Sequence, residues 1–313
     1  MLSASPSGET NAAAAKKKTT HKKREPYVFN GTVTIVDRGE HHVVVAKPPS
    51  VVCHHSDWSG SRSKKRTVPE VPMLQRTREA VQERVNLVHR LDRGASGCLL
   101  ITLAKSDEEE LDATSSLQEA MTNANKTYVA LVRGEGMVNG RDLQSEGWFE
   151  VDRPIKDESG NLNDATTMFR FVAGQDNDSG NLDRPRASIV LARPKTGRWH
   201  QIRRHLNGLS HPILGDSSHG NSQTNREWRS KRGLPPERTC LHLLTMELPA
   251  KEMFPSGIKA YCPLADDMLS LLENHLPEVL QQAQQILREE EGIELTSSQG
   301  DSEEIPIQLT VQM

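Results

Sequence analysis

Nine short runs rich in apolar and β-branched residues, at 32–36, 42–46, 98–103, 127–133, 148–152, 167–172, 187–193, 239–247 and 258–262, mostly follow one another without an intervening helix. Parallel strands need long crossovers, usually helical, whereas antiparallel strands can be joined by turns. Helical stretches are confined to 73–84, 108–121, 199–208 and 264–288. The expected fold is therefore α+β, with a mixed, mostly antiparallel sheet flanked by helices. A doubly wound parallel sheet does not suit this order.

The length of 313 residues admits one large domain or two small ones. The first 26 residues lack an apolar period, and the last 26 are acidic and mixed with Ser, Gln and Asp. Residues 1–26 hold an Ala run and six Lys/Arg against two acids, while 288–313 hold seven acids and one Arg. They read as disordered basic and acidic tails around one catalytic-sized domain at 27–287. Two stretches read as insertions: 56–72, basic and Ser-rich, and 173–186, full of Gly, Asn and Asp. No stretch approaches ~18 uninterrupted apolar residues, so no membrane span is expected. The four cysteines stand singly without a CxxC pair, which argues against a zinc site or a disulfide scaffold. The start has no signal-peptide pattern. Its clustered lysines suit a cytoplasmic or nuclear protein, and an organelle transit peptide stays open.

The net charge of −3 conceals two basic segments. Residues 193–240 have ten Lys/Arg against three acids, and 62–93 have nine against four. Gathered on one face they would suit a polyanion; scattered, they are ordinary solvated surface.

Three polar clusters carry the chemistry. The first, His89-Arg90-Leu91-Asp92-Arg93-Gly94-Ala95-Ser96-Gly97, precedes an apolar run and reads as a glycine-containing turn entering a buried strand. Arg90 and Arg93 flank Asp92, and cationic neighbours keep a carboxylate ionised. Such an Asp can be a nucleophile or a base, and a salt-bridged surface turn would look the same. Ser96 suggests a hydrolase, but Cys98 stands where a nucleophile elbow needs its last Gly. In the second cluster, Lys195 to Leu206, a turn at Thr196-Gly197 opens a helix whose expected apolar face is Trp199, Ile202 and Leu206. His200 and His205 lie about 140° apart round that helix, so they cannot share a metal. With Arg203 and Arg204 they better suit phosphate binding or holding a carboxylate. The third cluster is the strand Lys126 to Gly134, where alternation puts Tyr128, Ala130 and Val132 on one side. An aromatic ring there is either core or, beside a basic surface, a stacking platform for a base.

The three clusters, in this order, resemble the RluA-type pseudouridine synthases over about residues 30–270. His89 to Gly97 matches that family's HRLDxxTSG motif, Lys126 to Gly134 its KTYxAxVxG strand, and Gly197 to Leu206 its GRxHQIRxHL helix. Val44 to Pro49 and His211 to Asp216 also look like family elements. Gly215 to Gly220 with Asn225, and the lack of an S4 module before the domain, are most similar to the tRNA pseudouridine-65 synthases. The resemblance implies an isomerase that converts uridine to pseudouridine in structured RNA, tRNA first and rRNA as the alternative. It implies a monomer that uses no cofactor or metal and does not engage a membrane. Asp92 is then the catalytic carboxylate, acting on a flipped uridine as nucleophile or as base toward the sugar. Arg203 pairs with it, Tyr128 stacks on the base and helps remove the C5 proton, and Arg90 fills the space the base leaves. Arg93, Arg198, His200 and Arg204 would support the site or contact RNA. One departure is Ala95, where the family has Thr. It leaves a second reading open, an RNA-binding protein on an impaired scaffold, and Ser96 leaves the hydrolase as a third.

Overall fold

A computed structural model describes residues 27–55, 70–175, 185–296 and 302–311. The basic stretch 1–26 and most of the two insertions lie outside the described residues. In chain order the strands are β1 (Tyr27–Arg38), β2 (His42–Lys47), β3 (Arg84–Leu87), β4 (Ser96–Ala104), β5 (Asn125–Arg133), β6 (Met137–Val138), β7 (Arg141–Asp142), β8 (Trp148–Asp152), β9 (Ile155–Lys156), β10 (Leu162–Asn163), β11 (Thr166–Gln175), β12 (Ala187–Pro194), β13 (Leu241–Leu248), β14 (Ile258–Tyr261) and β15 (Glu303–Val311). The helices are α1 (Met73–Val81), α2 (Asp107–Thr122), α3 (Gln201–Gly208), α4 (Ser222–Arg232), α5 (Asp266–His275) and α6 (Pro277–Ile286).

Eleven strands form one sheet in the order β15-β1-β2-β4-β13-β5-β12-β11-β8, with β3 added to β4 and β14 to β13. Its pairings are antiparallel except for β13 on β4, so the sheet is mixed and mostly antiparallel as the strand order implies. Each half has its own core. One gathers Leu131, Phe169, Leu191 and Leu206 with Leu272 and Leu280 of α5 and α6. The other gathers Val44, Leu99 and Ile101 with Met73 of α1 and Leu117 of α2. Tyr128 packs against both, which places it on the seam.

Local sequence explains the central elements. Every residue of β4 is buried, the reason it reads as an unbroken apolar run rather than an alternation. Helix α2 opens on Ser106, whose Oγ accepts from the Glu109 N–H, and carries four acids in its first turn, where the helix dipole favours negative charge. At the parallel junction Ser96 and Gly97 lie beside His242 and Leu243. Gly97 has φ 112°, and a Cβ there would sit 2.2 Å from the Leu243 carbonyl oxygen. Only glycine lets these two backbones meet.

Besides the short strands β3, β6, β7, β9 and β10, which no expected run marks, three elements differ from expectation. Helix α4 escapes a periodicity search because Ser222–Arg232 has one large apolar residue, the buried Trp228; its ends are marked by the Asn221 cap and by Gly233 in the left-handed conformation. The stretch 264–288 is two helices that meet at Leu276-Pro277, since proline at N1 cannot donate to the preceding turn. The acidic stretch 288–313 is not a disordered tail where it is described. Glu303–Val311 pairs with Tyr27–Ile35 as an added strand, and Leu287 and Leu295 are buried. Glu291 accepts from Trp148 Nε1 at 2.6 Å and from Arg193 Nη2 at 2.9 Å, and it pairs with Arg170. The acids there answer cations of the sheet, a long-range match that composition does not show. Glu291→Ala should lower stability by about 3 kcal/mol, as when one partner of a buried charge network is removed, measured by chemical denaturation; an unfolded tail would leave it unchanged.

Candidate active site

The turn carrying Asp92 is held from three sides by groups distant in sequence. Lys47 is 1 % exposed, and its Nζ donates to the carbonyls of Val51 (2.8 Å), Pro48 (2.9 Å) and Arg93 (3.2 Å). Burial pulls its pKa down to about 7. Arg238 is fully buried; its Nη1 donates to the carbonyls of Gly94 and Thr239, its Nη2 to Ser96 Oγ, and its Nε lies 3.0 Å from Asp267 Oδ2. His89 Nε2 accepts from the Leu100 N–H at 3.0 Å, and burial lowers its pKa to about 4, so it is a neutral prop. Within the turn, the Ala95 N–H donates to the Asp92 carbonyl at 3.1 Å, and the Ala95 methyl lies in the apolar core.

Ser96 Oγ lies 2.9 Å from His242 Nδ1, and His242 Nε2 lies 3.0 Å from the Cys262 carbonyl. A carbonyl can only accept, so Nε2 carries the hydrogen and Nδ1 accepts from the serine. Both side chains are 1 % exposed. The pair braces the parallel junction, and the hydrolase reading fails because no substrate carbonyl can reach Ser96.

Asp92 itself keeps about a third of its side chain exposed. Its Oδ2 accepts from Arg203 Nη1 at 2.6 Å. The other edge of the guanidinium is bidentate to Asp216, with Nε and Nη2 each 2.7 Å from a carboxylate oxygen. Arg203 is thus fixed between two carboxylates, one buried and one facing the cleft. Asp216 also accepts from the N–H groups of Ser218 and His219. Burial pushes its pKa up, but Arg203 and those N–H groups outweigh burial and the net shift is downward. Asn225 of α4 locks this corner, accepting from Gly215 N–H and donating to the Asp216 carbonyl, both at 2.8 Å. The motif at 211–216 signals that this stretch matters; its role as orienter of Arg203 becomes visible only in space.

Helix α3 begins at Gln201, and His200 before it has φ 54°. Trp199 therefore precedes the helix and does not join Ile202 and Leu206 in the core, as the helical spacing suggests; it is 53 % exposed. His200 Nε2 is 3.6 Å from Asp92 Oδ1, and His200 Nδ1 is 3.0 Å from His219 Nε2. The two imidazoles share one hydrogen bond, and at 3.6 Å His200 is near Asp92 Oδ1 without hydrogen-bonding to it. Burial lowers the pKa of His200 to about 4, so it is neutral at physiological pH. Tyr128 lines the same cleft as Asp92, and its phenol pKa is raised by burial and then by the Asp92 charge.

The remaining cations part company. Arg90 and Arg198 are exposed at the cleft mouth, Arg198 with its Nε on the Asp164 carbonyl. Arg204 donates to the Lys156 carbonyl at the rim. Arg93 instead grips Glu70, with Nη1 at 2.6 Å from both carboxylate oxygens, and serves the fold of the loop rather than its outer face. Among the described residues no group of three or more His, Cys, Asp or Glu could hold a metal, and no helix is long and apolar enough to cross a membrane.

Solved structures titled human RNA Pseudouridylate Synthase Domain Containing 1 and Domain Containing 4 share this fold. They superpose with TM-scores of 0.51 and 0.52 at 22 % and 20 % identity, covering 74 % and 76 % of this chain and 83 % and 91 % of theirs. The chain belongs to the RNA pseudouridylate synthase family, whose profile matches residues 41–208. It is similar to tRNA pseudouridine synthase C of Yersinia pestis, with 33 % identity over 198 residues, 61 % of this chain and 72 % of the relative. The Vibrio vulnificus protein of that name is 30 % identical over 221 residues, 66 % of this chain and 81 % of the relative. With that of Pectobacterium carotovorum the identity is 34 % over 202 residues, 63 % of this chain but half the length of the relative.

The folded Asp216 carboxyl titrates below its ordinary 3.8, so its pairing contributes in full above that value and is lost as pH falls through the folded pKa. Asp216→Asn should cost about 3 kcal/mol at pH 7, and the gap in Tm between variant and wild type should narrow as the pH is taken below 3.8.

Proposed function

We propose that this protein isomerises uridine to pseudouridine in RNA, with tRNA as its substrate and Asp92 as the catalytic carboxylate. The observation that carries the reading is the Asp92–Arg203–Asp216 array, set in a cleft with Tyr128. The reaction breaks the N1–C1′ bond of uridine, turns the base and joins C5 to C1′; C5 loses a proton and N1 gains one. Arg203 occupies Asp92 Oδ2 and leaves Oδ1 toward the cleft, available as nucleophile or as base on the sugar. Tyr128 supplies the ring on which the flipped base stacks, and a flipped base costs a few kcal/mol to extract. Arg90, at the mouth, is placed to fill the vacated stack. The names of the bacterial relatives, tRNA pseudouridine synthase C, support tRNA over rRNA. Action as a monomer is part of the same proposal.

Ala95 does not weaken this reading. Its backbone makes the turn hydrogen bond, its methyl fills the core, and Arg238 and Lys47 hold the loop.

Tritium release from tRNA labelled at uridine C5 is the direct test. Wild type should release tritium, and Asp92→Asn should fall below about a thousandth of that rate. The variant's RNA affinity should stay within about threefold, because phosphate contacts dominate binding. Release by the variant at the wild-type rate would remove Asp92 from the chemistry. Affinity should also fall steeply with salt through counterion release; a flat dependence would count against an RNA substrate.

A further inference from the structure

From Trp199 we infer a second base-binding position at the mouth of the cleft: an unpaired nucleobase, flanking the target uridine in the same RNA strand, stacks on the exposed part of this indole. The proposal rests on the RNA-modifying reading and adds to it a binding residue outside the catalytic array.

The turn geometry creates the platform. With His200 in the left-handed conformation, Trp199 is turned out of the helix and contributes no packing to the core. An indole left 53 % exposed keeps much of its apolar surface in water, and folding does not place it in either core. The ring is nonetheless held. His200 stacks on one face with centroids 3.9 Å apart and planes 21° apart, and His219 meets it edge-on at 6.0 Å. The Arg204 guanidinium lies 5.9 Å from the ring centre. One face is therefore backed by an imidazole that itself reaches within 3.6 Å of Asp92, the guanidinium stands over the ring at a longer distance, and about half of the indole stays exposed. Trp199 lines the same cleft as Asp92, Tyr128 and Arg90.

A rigid, half-covered aromatic face among cations is what single-stranded RNA recognition uses, since every base has a π-face and stacks without sequence preference. Tyr128 lies deep on the seam, where a flipped base must go; Trp199 lies outside it, where the strand leaves the cleft. A nucleotide pulled from its helix drags a neighbour out of its own stack, and Trp199 replaces the contact that neighbour loses. The protein thus grips two bases, one for chemistry and one for position.

Stacking and phosphate contacts respond differently to salt, and that separates them. The Kd for bulk tRNA is measured by filter binding across a salt series for wild type, Trp199→Ala, Trp199→Phe and Arg198→Ala, with melting curves as a folding control. Trp199→Ala should weaken binding about tenfold at every salt concentration, leaving the slope of log Kd against log salt unchanged. Trp199→Phe should restore most of the affinity, and in tritium release the alanine loss should fall mainly on KM. Arg198→Ala should reduce the slope instead. A Trp199→Ala Kd within about twofold of wild type, or a loss that phenylalanine does not repair, overturns the stacking position. If wild type binds tRNA but releases no tritium, the catalytic reading fails while the affinity ratio still decides the stacking position. If wild type does not bind tRNA, both fall.

Discussion

The close approach of β4 and β13 at Gly97 is the constraint on which the rest depends. All other pairings in the main sheet are antiparallel, and this single parallel contact seats β13, whose residues enter both cores, against β4. The chain reaches it directly from the turn that bears Asp92. Whatever fixes the junction also fixes the carboxylate, so stability and site geometry share the same buried contacts. Ser96, His242 and the Cys262 carbonyl form one line of hydrogen bonds across it, and Arg238 ties that line to Gly94. Buried cations are expensive unless every donor finds an acceptor. Lys47 Nζ meets main-chain carbonyls only, and Arg238 sets its two terminal nitrogens on two carbonyls and a serine hydroxyl while its Nε side faces the Asp267 carboxylate; carbonyls do not change rotamer.

The Asp92–Arg203–Asp216 array follows the same logic. Arg203 is presented by a helix whose start is set by a strained residue, His200, and is held rigid by Asp216, itself pinned by Asn225 and two backbone amides. Its bond to Asp92 needs no rearrangement when substrate arrives. A preorganised charge of this kind acts at full strength in a site from which water is partly excluded.

Much of this was legible in the sequence, for identifiable reasons. Asp92, Tyr128 and Arg203 sit in local motifs, and the family resemblance orders them; they do converge on one cleft. Strand positions were legible because alternation and apolar runs are local properties. What escaped is non-local. Asp216 as the bidentate partner, Arg93 turned to Glu70, and Glu291 closing on Trp148, Arg170 and Arg193 are pairings between distant segments of a chain rich in both charges. Trp199 misled for a different reason. Its spacing from Ile202 and Leu206 is helical, but a single left-handed residue between them breaks the register.

The strand Glu303–Val311 lies against Tyr27–Ile35, its partner from the far end of the described chain. During synthesis on a ribosome the early strand is made first and must wait for some 270 further residues before its neighbour exists. Only its last residues, from Ile35 onward, can pair sooner with β2. The outer edge of the sheet therefore stays open until the late strand has been made. Pro306 and the polar residues Glu303, Glu304 and Gln308 of the late strand suit an edge that must seal once and attract nothing further.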